Sequence, residues 1–262
     1  MANTGSRNYF DNPEIWDPSF WKNRSDDIER ARLVGDWLPQ EISSILDVGC
    51  GNGVYTNLQE ANQLKIGLDL SRPALKYVSA PRLQASAAEL PFANASFDCS
   101  VCMEMLEHLP VSIYQITLDE LKRVSRRYIL ITVPYNENLY YDNIVCPVCL
   151  CRFHPYHHVR QYSEDSFQGL FDKHFLLMRL EAVIYKGRKA IPSLWNLIRL
   201  YLHRGGRNFP ARVVCPQCGY SSDKNNVKKQ LESAPSKRLS IHRYWPEIKS
   251  YRWWMALYRY DN

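Results

Sequence analysis

The chain has 262 residues, of which 45% are hydrophobic and 23% charged, and its formal net charge is +6. This length suffices for one well-buried domain with an insertion, and no apolar run approaches the ~20 residues that a membrane-spanning helix needs. Because Met1–Ser6 has no basic start followed by an apolar stretch, we expect no secretory signal and a cytoplasmic protein.

The N-terminal segment, residues 9–39, begins with aromatic residues and continues with a helical pattern. Apolar residues at helical spacing are Ile28, Ala31, Leu33, Val34 and Trp37. This periodicity predicts a helix.

A glycine-rich loop follows the first predicted strand. An apolar run ends at Asp47 and passes into glycines at alternate positions, Gly49, Gly51 and Gly53. The pattern predicts a buried strand, a tight loop and a helix that begins near Val54. Because glycine permits positive φ and leaves the backbone open to a ligand, we expect a nucleotide-like cofactor here. The alternative is a glycine-rich turn that binds nothing.

The charge beside this loop limits the kind of ligand. The spacing is G-x-G-x-G, whereas the dinucleotide fingerprint is G-x-G-x-x-G. Asp47 would place a negative charge where pyrophosphate binders present a free helix N-terminus. The loop therefore favours a cationic or zwitterionic ligand.

A second acidic residue follows about one βαβ unit later. The segment Leu64–Ser71 predicts a short strand that ends at Asp69, with Ser71 capping the next helix. An acid at this position can hold a ribose diol by two charge-assisted hydrogen bonds. The next buried strand, Ser96–Cys102, runs into the segment Met103–Pro110.

These segments together resemble the class I, seven-strand S-adenosylmethionine-dependent methyltransferase family of the small-molecule type. The matching motifs are ILDVGCGNG, GLDLS, ASAAELPFANASFD and EMLEHLP, and the resemblance covers about residues 40–135. It implies an α/β fold with a doubly wound, Rossmann-like sheet of seven strands. S-adenosylmethionine would lie over the carboxyl ends of these strands.

The cofactor-binding residues expected on this basis follow the ends of the first strands: Asp47, Gly49, Gly51, Gly53, Asp69, Leu70, Ala87, Ala88 and Glu104. The resemblance implies that the glycines line the methionine and ribose, and that residues 9–39 cap the cleft. Asp69 would bind the ribose hydroxyls, and Leu70 would pack on the adenine. Ala87 and Ala88 would offer backbone groups to the adenine edge, and Glu104 would face the sulfonium end.

The remaining elements of the sheet are predicted downstream. Helices are indicated at Ile113–Ser125 and at Ser163–Phe171, the second with a capping serine. Strands are indicated at Tyr128–Val133, Phe175–Tyr185 and Trp253–Tyr260.

The eight cysteines fall into two groups. Cys50, Cys99 and Cys102 lie in the predicted strands and loops, where we expect small buried residues. Two Cys-Pro-x-Cys units are separated by 65 residues. Paired units of this kind indicate a structural zinc ion held by four ligands: Cys146, Cys149, Cys215 and Cys218. The alternatives are two unrelated reduced turns, or replacement of one ligand by Cys151 or a nearby histidine.

Four histidines are candidates for the base that deprotonates the acceptor: His108, His154, His157 and His158. The first follows the fourth strand, and the others follow the fifth, whose end faces the cofactor crevice in a doubly wound sheet. A histidine near its ordinary pKa can accept a proton from a hydroxyl or amine. The alternative for the last three is hydrogen bonding within the zinc module.

Basic residues concentrate in the last third of the chain. Residues 182–262 hold 16 Lys/Arg and four Asp/Glu, whereas residues 1–181 hold 17 and 23. This charge could attract nucleic acid, a sugar phosphate or an anionic membrane face, but a solvated basic surface is an equally simple explanation. Within this third, Pro192–Leu202 predicts a helix and Ser221–Lys237 a loop.

These features divide the chain into six segments: a helical cap at 1–40, the cofactor-binding core at 41–145, the first zinc knuckle and histidine-rich loop at 146–162, a continuation of the core at 163–188, an insertion with the second knuckle at 189–247, and the last core strand at 248–262.

Three functions are compatible with the sequence. The first is in-line methyl transfer, with O-methylation expected, to a small acceptor such as a sugar, glycan or specialised metabolite. The CPVC, FHPYHH and CPQCG motifs resemble a zinc-bearing subgroup found beside sugar and natural-product pathways. The second is RNA methylation with the zinc module and the basic third as the nucleic-acid grip. The third is cofactor binding without catalysis. The sequence does not indicate an oligomeric state.

Overall fold

The computed structural model describes residues 9–17, 25–58, 62–139, 143–189, 209, 213–221 and 247–261. The chain divides into two compact units. The sheet unit comprises Phe10–Glu137, Val159–Val183 and Arg252–Asn262. The knuckle unit comprises Met1–Tyr9, Asn138–His158 and Ile184–Tyr251.

The helices and strands have the following bounds. The α-helices are α1 (Ser25–Trp37), α2 (Arg72–Leu75) and α3 (Val111–Val124), and 3₁₀ turns span Pro13–Trp16, Leu106–His108 and Glu164–Phe167. The strands are β1 (Ser44–Val48), β2 (Leu64–Asp69), β3 (Arg82–Gln84), β4 (Phe97–Met103), β5 (Ser125–Pro134), β6 (Ile144–Val145), β7 (Arg152–Phe153), β8 (Phe175–Lys189) and β9 (Glu247–Tyr260).

The main sheet has seven strands in the order β3-β2-β1-β4-β5-β9-β8. Strands β1 to β5 pair in parallel, whereas β9 runs antiparallel to β5, with Tyr128 opposite Arg259 and Pro134 opposite Trp253. The strand order reverses between β1 and β4, and ligands of doubly wound sheets bind at the carboxyl ends beside such a reversal. The predicted doubly wound α/β sheet is therefore confirmed.

Alternate residues of the central strands pack on the two faces of the sheet. On β1, Ile45 belongs to one apolar core, which includes Val34 of α1. Its neighbour Leu46 belongs to the other core, which includes Leu118 and Leu121 of α3. Because both faces are covered, the parallel strands are nearly continuous apolar runs, as the sequence shows.

The cysteines of the sheet unit are packing residues, as predicted. Cys99 and Cys102 are fully buried and belong to opposite cores, and Cys50 is 8% exposed. Burial raises the pKa of each thiol above its ordinary value, so all three stay protonated.

The prediction of a helix that begins near Val54 is wrong, as far as the described residues extend. The chain after Gly53 forms a single turn, closed by a hydrogen bond from Asn57 N to Gly53 O (2.9 Å). The Asn57 carboxamide gives the physical reason, because its oxygen accepts hydrogen bonds from the backbone N and the hydroxyl of Ser79 (2.7 and 2.9 Å). This contact with a segment 22 residues away fixes the end of the turn, and asparagine is itself a weak helix former.

The helix predicted at Ser163–Phe171 is also wrong, since only the 3₁₀ turn Glu164–Phe167 forms. Ser163 does cap this turn through a reciprocal pair of hydrogen bonds with Ser166. Gly169, at φ +79°, then takes the backbone out of the helical region.

Other predicted elements are present. The Ser71 hydroxyl accepts a hydrogen bond from Ala74 N (3.3 Å) and caps α2. Helices α1 and α3 and strands β5, β8 and β9 overlap their predicted positions. The predicted helix Pro192–Leu202 lies outside the described residues, as does the predicted loop Ser221–Lys237 apart from its first residue. Among the described helices, none has the length and apolar character needed to cross a membrane.

Asp98 fixes the beginning of the sheet. Its Oδ2 accepts hydrogen bonds from the backbone N and the hydroxyl of both Ser43 and Ser44, at 2.9–3.1 Å. Its Oδ1 accepts a hydrogen bond from the Arg126 guanidinium. Burial alone would raise the pKa of Asp98, but Arg126 and the serine donors outweigh burial and hold this pKa below its ordinary value. The ionised carboxylate therefore ties β4 to β5 and to the start of β1.

We expect Asp98→Asn to lower the free energy of unfolding by about 2–3 kcal/mol at neutral pH, because an amide cannot replace a carboxylate that accepts several donors. In the wild-type protein the same contribution is present above about pH 4 and is lost as the pH falls through the lowered pKa. Urea unfolding followed by circular dichroism measures both effects. Asp119→Asn, at an exposed position of α3, is the matched control and should cost less than about 0.5 kcal/mol. Equal losses in the two variants would contradict the role of Asp98.

Candidate active site and zinc centre

The loop after β1 is an open backbone cradle. Gly49, Gly51 and Gly53 have φ values of +75°, +55° and +79°, a region that disfavours residues with a side chain. A Cβ at Gly49 would lie 2.5 Å from Cγ of Met105, and one at Gly51 would lie 2.9 Å from Cζ3 of Trp16. Both conformation and space therefore require glycine in this loop.

Asp69 joins the glycine loop to the end of β2. Its Oδ2 accepts a hydrogen bond from Gly51 N (2.8 Å), and its Oδ1 accepts one from Ser71 N (2.7 Å). Burial raises the pKa of Asp69 despite these donors. Two predicted cofactor-binding features, Gly51 and Asp69, thus lie in direct contact.

Asp47 is fully buried at the end of β1. The Thr56 hydroxyl donates a hydrogen bond to Oδ2 (2.6 Å), whereas in the described part of the chain Oδ1 has no hydrogen-bond partner. Burial is the main cause that raises the pKa of Asp47 to about 7; the charge of Asp69 adds to it, and Thr56 opposes it. A buried carboxylate oxygen without a partner is typical of a functional site.

Glu104 leaves β4 in a strained backbone conformation, with φ +50°. Its backbone N donates to Thr132 O (2.9 Å), and the Thr132 hydroxyl donates to Oε1 (3.3 Å). The guanidinium of Arg30, from α1, lies 3.4 Å from Oε2 of Glu104 and 3.2 Å from Oδ1 of Asp27. Burial raises the pKa of Glu104, and Arg30 opposes this rise.

The 3₁₀ turn after β4 places another buried carboxyl group beside a predicted base. Glu107 is fully buried, and among the described residues neither of its oxygens has a hydrogen-bond partner. Its Oε1 lies 4.0 Å from Nε2 of His108. Burial, and then the charge of Glu104, raises the pKa of Glu107 well above its ordinary value. His108 therefore lies beside a carboxyl group whose uncharged form is favoured by burial.

The aromatic segment before α1 covers the glycine loop. The carbonyl oxygen of Phe10 accepts hydrogen bonds from Trp16 Nε1 and from the Ser71 hydroxyl, both at 2.7 Å. The Trp16 ring lies against Gly51, and the Phe10 ring meets the His108 ring edge-on, with 5.0 Å between centroids. Residues 10–16 thus shield the loop and His108 from solvent.

The residues expected to contact adenine follow β2 and β3. Leu70 is 49% exposed, which leaves an apolar side chain available to a planar ring. Ala87 and Ala88 lie in a turn closed by a hydrogen bond from Glu89 N to Ser86 O (3.1 Å). The roles of these three residues toward adenine stay predictions.

Four carboxyl groups therefore follow the carboxyl ends of β1, β2 and β4: Asp47, Asp69, Glu104 and Glu107. Burial raises the pKa of each of them. A cationic ligand would favour their ionised forms, whereas a pyrophosphate would meet like charges. The residues present thus fit a ligand that carries a sulfonium and an ammonium group.

The knuckle unit brings the four predicted zinc ligands together. The sulfurs of Cys146, Cys149, Cys215 and Cys218 all lie within 4.8 Å of one another. The Sγ atoms of Cys146 and Cys218 are 3.6 Å apart, and those of Cys149 and Cys215 are 3.5 Å apart. Because tetrahedral zinc with Zn–S bonds of about 2.3 Å separates its sulfurs by about 3.8 Å, the four thiols fit a closed zinc site.

Each of the two knuckles forms a backbone turn of the same kind. Leu150 N donates to Cys146 O (3.1 Å), and Gly219 N donates to Cys215 O (3.0 Å). Leu150 and Gly219 occupy equivalent positions and have φ values of +60° and +73°. The repeated geometry supports a common role for the two Cys-Pro-x-Cys units.

Three of the predicted base candidates lie in the knuckle unit. His157 Nε2 donates a hydrogen bond to Val214 O (3.0 Å), and its ring stacks on Tyr9, with 4.4 Å between centroids. Burial lowers the pKa of His157 to about 4. These contacts favour hydrogen bonding within the module for His157. His154 stacks on His158 at 4.4 Å, and a catalytic role for these two residues stays a prediction.

A comparison with protein families decides the class of the sheet unit. Residues 46–128 match the family model described as a methyltransferase domain. This part of the chain is therefore similar to a methyltransferase domain. The predicted enzyme class is confirmed at this level, and the glycine loop, Asp69 and the 3₁₀ turn at Leu106–His108 all lie inside the matched segment.

Among curated proteins, the methyltransferase domain is similar to a ubiquinone biosynthesis O-methyltransferase of Ralstonia nicotianae. The two are 36% identical over 110 residues, which cover 36% of this chain and 45% of the relative. The matched part is thus less than half of the relative's length.

Among solved structures, the fold is similar to that of an S-adenosylmethionine-dependent methyltransferase from Thermotoga maritima, with a TM-score of 0.55, 14% identity and full coverage of both chains. A second, from Archaeoglobus fulgidus, has a TM-score of 0.52 and 15% identity and covers 91% of this chain and 96% of that one. At these identities the likeness concerns the fold alone.

The sequence analysis placed Trp16 and Arg30 within the segment expected to cap the cleft, without a role of their own, and missed Glu107. Arg30 lies on a helix that was predicted from its apolar positions, which say nothing about the role of a charged residue. Trp16 was one of several aromatic residues in its segment, and nothing distinguished it from the others. Glu107 carried a usable signal, because it immediately precedes His108 within an identified motif.

The raised pKa of Asp47 predicts a pH-dependent stability. Its pKa in the fold, about 7, exceeds the ordinary value of 3.8, so the fold favours the protonated form. The ligand-free protein should therefore lose stability as the pH rises between about 4 and 7. In Asp47→Asn, the decrease in the free energy of unfolding over this pH range should be smaller than in the wild type by up to about 4 kcal/mol. Urea unfolding at a series of pH values measures it, and parallel pH curves for wild type and variant would contradict the assignment.

Proposed function

We propose that the methyltransferase domain transfers a methyl group from S-adenosylmethionine to an oxygen of a small acceptor. The observation that carries this proposal is the group of acidic residues at the strand ends around the glycine loop, of which Asp47 and Glu107 are fully buried, with Asp69 bonded to Gly51. The curated relatives are named ubiquinone biosynthesis O-methyltransferases, which supports oxygen as the accepting atom. A sugar, glycan or specialised metabolite as the acceptor stays a prediction.

The residues that would hold the cofactor follow from the charges in the crevice. Asp69 would accept hydrogen bonds from the ribose hydroxyls, and Gly49 to Gly53 would lie against the ribose and methionine. Asp47 and Glu104 would face the cationic groups. Arg30, which pairs with Glu104 and Asp27, would supply a guanidinium for the carboxylate of the amino-acid end.

The protein's own contribution to the chemistry is positioning and proton removal. When bound, S-adenosylmethionine supplies a methyl group already activated by the sulfonium charge. His108, whose ring contacts Phe10 and whose Nε2 faces Glu107, would accept the proton of the acceptor hydroxyl. Phe10 and Trp16 exclude water from the loop, which strengthens electrostatic interactions within it. A positioned base of this kind typically accelerates a reaction about 10²–10⁴-fold.

We expect Asp69→Ala to weaken the binding of S-adenosylhomocysteine at least tenfold, because about two charge-assisted hydrogen bonds to the ribose are lost. Isothermal titration calorimetry measures the affinity directly and needs no acceptor. Asp119→Ala, on the exposed side of α3, should bind the ligand as the wild type does.

Two outcomes of this titration count against the proposal. Wild-type affinity in Asp69→Ala would contradict the ribose assignment. A wild-type protein that binds neither S-adenosylmethionine nor S-adenosylhomocysteine would contradict the proposed activity.

The knuckle unit supports a structural zinc ion as a second part of the proposal. Four cysteine thiolates leave no open coordination position, so the ion would stabilise the fold and take no part in methyl transfer. Cys151 lies in the same segment, and its backbone carbonyl accepts a hydrogen bond from Cys146 N (2.9 Å). With four sulfurs already in place, Cys151 is not needed as a ligand.

We expect Cys215→Ser to lower the zinc content from about one ion per chain to well below half, because one thiolate of four is removed. Cys151→Ser is the matched control and should retain the metal. Metal analysis by mass spectrometry after extensive dialysis gives both values. A full zinc complement in Cys215→Ser, or an equal loss in the two variants, would contradict the four-cysteine assignment.

A further inference from the structure

Arg160 follows a residue whose backbone is bonded to the turn that carries the proposed base. In the described part of the chain, Arg160 forms no ion pair and no hydrogen bond, and its Nε is buried. Most other arginines of the sheet unit differ, since Arg30, Arg123, Arg126 and Arg127 each pair with a carboxylate. A buried donor on a guanidinium is costly to leave unmatched, so its retention points to a ligand.

The backbone holds Arg160 next to the 3₁₀ turn that carries His108. Val159 N donates a hydrogen bond to Glu107 O (2.8 Å), which fixes the residue before Arg160 against this turn. The turn directly follows β4, at the carboxyl end where acceptors of doubly wound enzymes bind. Arg160 is therefore placed on the acceptor side of the crevice.

Two tyrosines fix the direction of the Arg160 side chain. The guanidinium carbon lies 3.6 Å from the centroid of the Tyr114 ring, a stacked arrangement. The Tyr162 hydroxyl, on a side chain that is 3% exposed, donates to the Tyr114 hydroxyl (3.2 Å). Stacking holds the guanidinium plane, and because Arg160 is only partly buried, the terminal donors of the side chain are the ones that could meet a planar anion.

The nearby carboxyl group does not oppose an anion here. Glu107, whose backbone oxygen accepts the hydrogen bond from Val159 N, is fully buried, and burial raises the pKa of its carboxyl group well above the ordinary value, which favours the uncharged form. Tyr114 and Tyr162 are likewise neutral, since burial raises the pKa of each phenol. Arg160 is thus the charged group of this stack of side chains.

We infer that Arg160, stacked on Tyr114, binds an acidic group of the acceptor, a carboxylate or a phosphate, and so selects anionic acceptors. This inference rests on the proposed function, because it assigns the acceptor of that same site. The guanidinium fork matches both kinds of anion in a bidentate manner. The proton to be removed would come from a separate hydroxyl of the same molecule, within reach of His108.

The test compares matched probes that differ only in the anionic group. Calorimetry measures the affinities of 3,4-dihydroxybenzoate and 3,4-dihydroxybenzamide, and of glucose 6-phosphate and glucose, with and without S-adenosylhomocysteine. We expect the wild-type protein to prefer at least one anionic probe over its neutral partner by about tenfold or more. The pair that shows the preference identifies the anion as carboxylate or phosphate.

Variants of Arg160 test whether this residue causes the preference for the anionic probe. Arg160→Gln should abolish it, and Arg160→Lys should keep part of it, since the charge remains but the fork is lost. Arg179→Gln is the matched control, because Arg179 also stacks on an aromatic ring, 3.8 Å from the centroid of Trp37, and should leave the preference unchanged.

The outcomes separate this inference from the proposed function. Absence of any preference in the wild type, or a preference that survives in Arg160→Gln, would overturn the role of Arg160. If Arg160→Gln lost as much affinity for S-adenosylhomocysteine as for the anionic probe, the role would also be overturned, since the residue would then shape the cofactor site. Failure of the wild type to bind S-adenosylhomocysteine contradicts the methyltransferase activity, while the probe pairs still report on Arg160.

Discussion

The hydrogen bond between Gly51 N and the Asp69 carboxylate (2.8 Å) connects the parts of the crevice. It requires a backbone N–H that points away from the sheet, which the positive φ of the glycine loop provides. The other oxygen of Asp69 accepts from Ser71 N and orders the start of α2. One buried carboxylate thus sets the loop after β1, the end of β2 and the entry to the next helix. Changing it would disturb structure and cofactor binding together, so a binding assay needs an exposed aspartate as its control.

The concentration of buried acid around this bond has an electrostatic cost. Asp47, Asp69 and Glu104 lie at or just after the carboxyl ends of β1, β2 and β4, and burial disfavours the ionised form of each. In the ligand-free protein, Thr56 and Arg30 offset part of this cost. A cationic cofactor would offset more of it, so binding and folding stability are linked through the same groups. This linkage favours a site evolved for a charged ligand over a glycine-rich turn that binds nothing.

The sequence was sufficient to predict those elements that depend on residues close together in the chain. Apolar runs that end in acids predicted β1 and β2, and the serine before α2 is a cap because its hydroxyl reaches a backbone N–H three residues on. It failed where a tertiary contact decided the outcome. The chain after Val54 leaves the helical path because Asn57 bonds Ser79, which is 22 residues away. Trp16 and Arg160 belong to no motif, and their roles depend on segments that return to the crevice from distant positions in the chain.

In the knuckle unit, the cysteine motifs rather than apolar packing made the site predictable from the sequence. Its ligands could be predicted across 65 residues, since only thiolates in paired Cys-x-x-Cys turns satisfy tetrahedral zinc so well. Among the described residues, its buried apolar core comprises Ile144, Phe153 and Val213 together with two of the cysteines themselves, Cys146 and Cys215. Closing a loop of this length costs about 4 kcal/mol of chain entropy, more than three such side chains reliably supply after their own ordering cost. A metal that binds only the folded arrangement of sulfurs can meet this cost, so the fold of the knuckle unit should depend on zinc far more than that of the sheet unit.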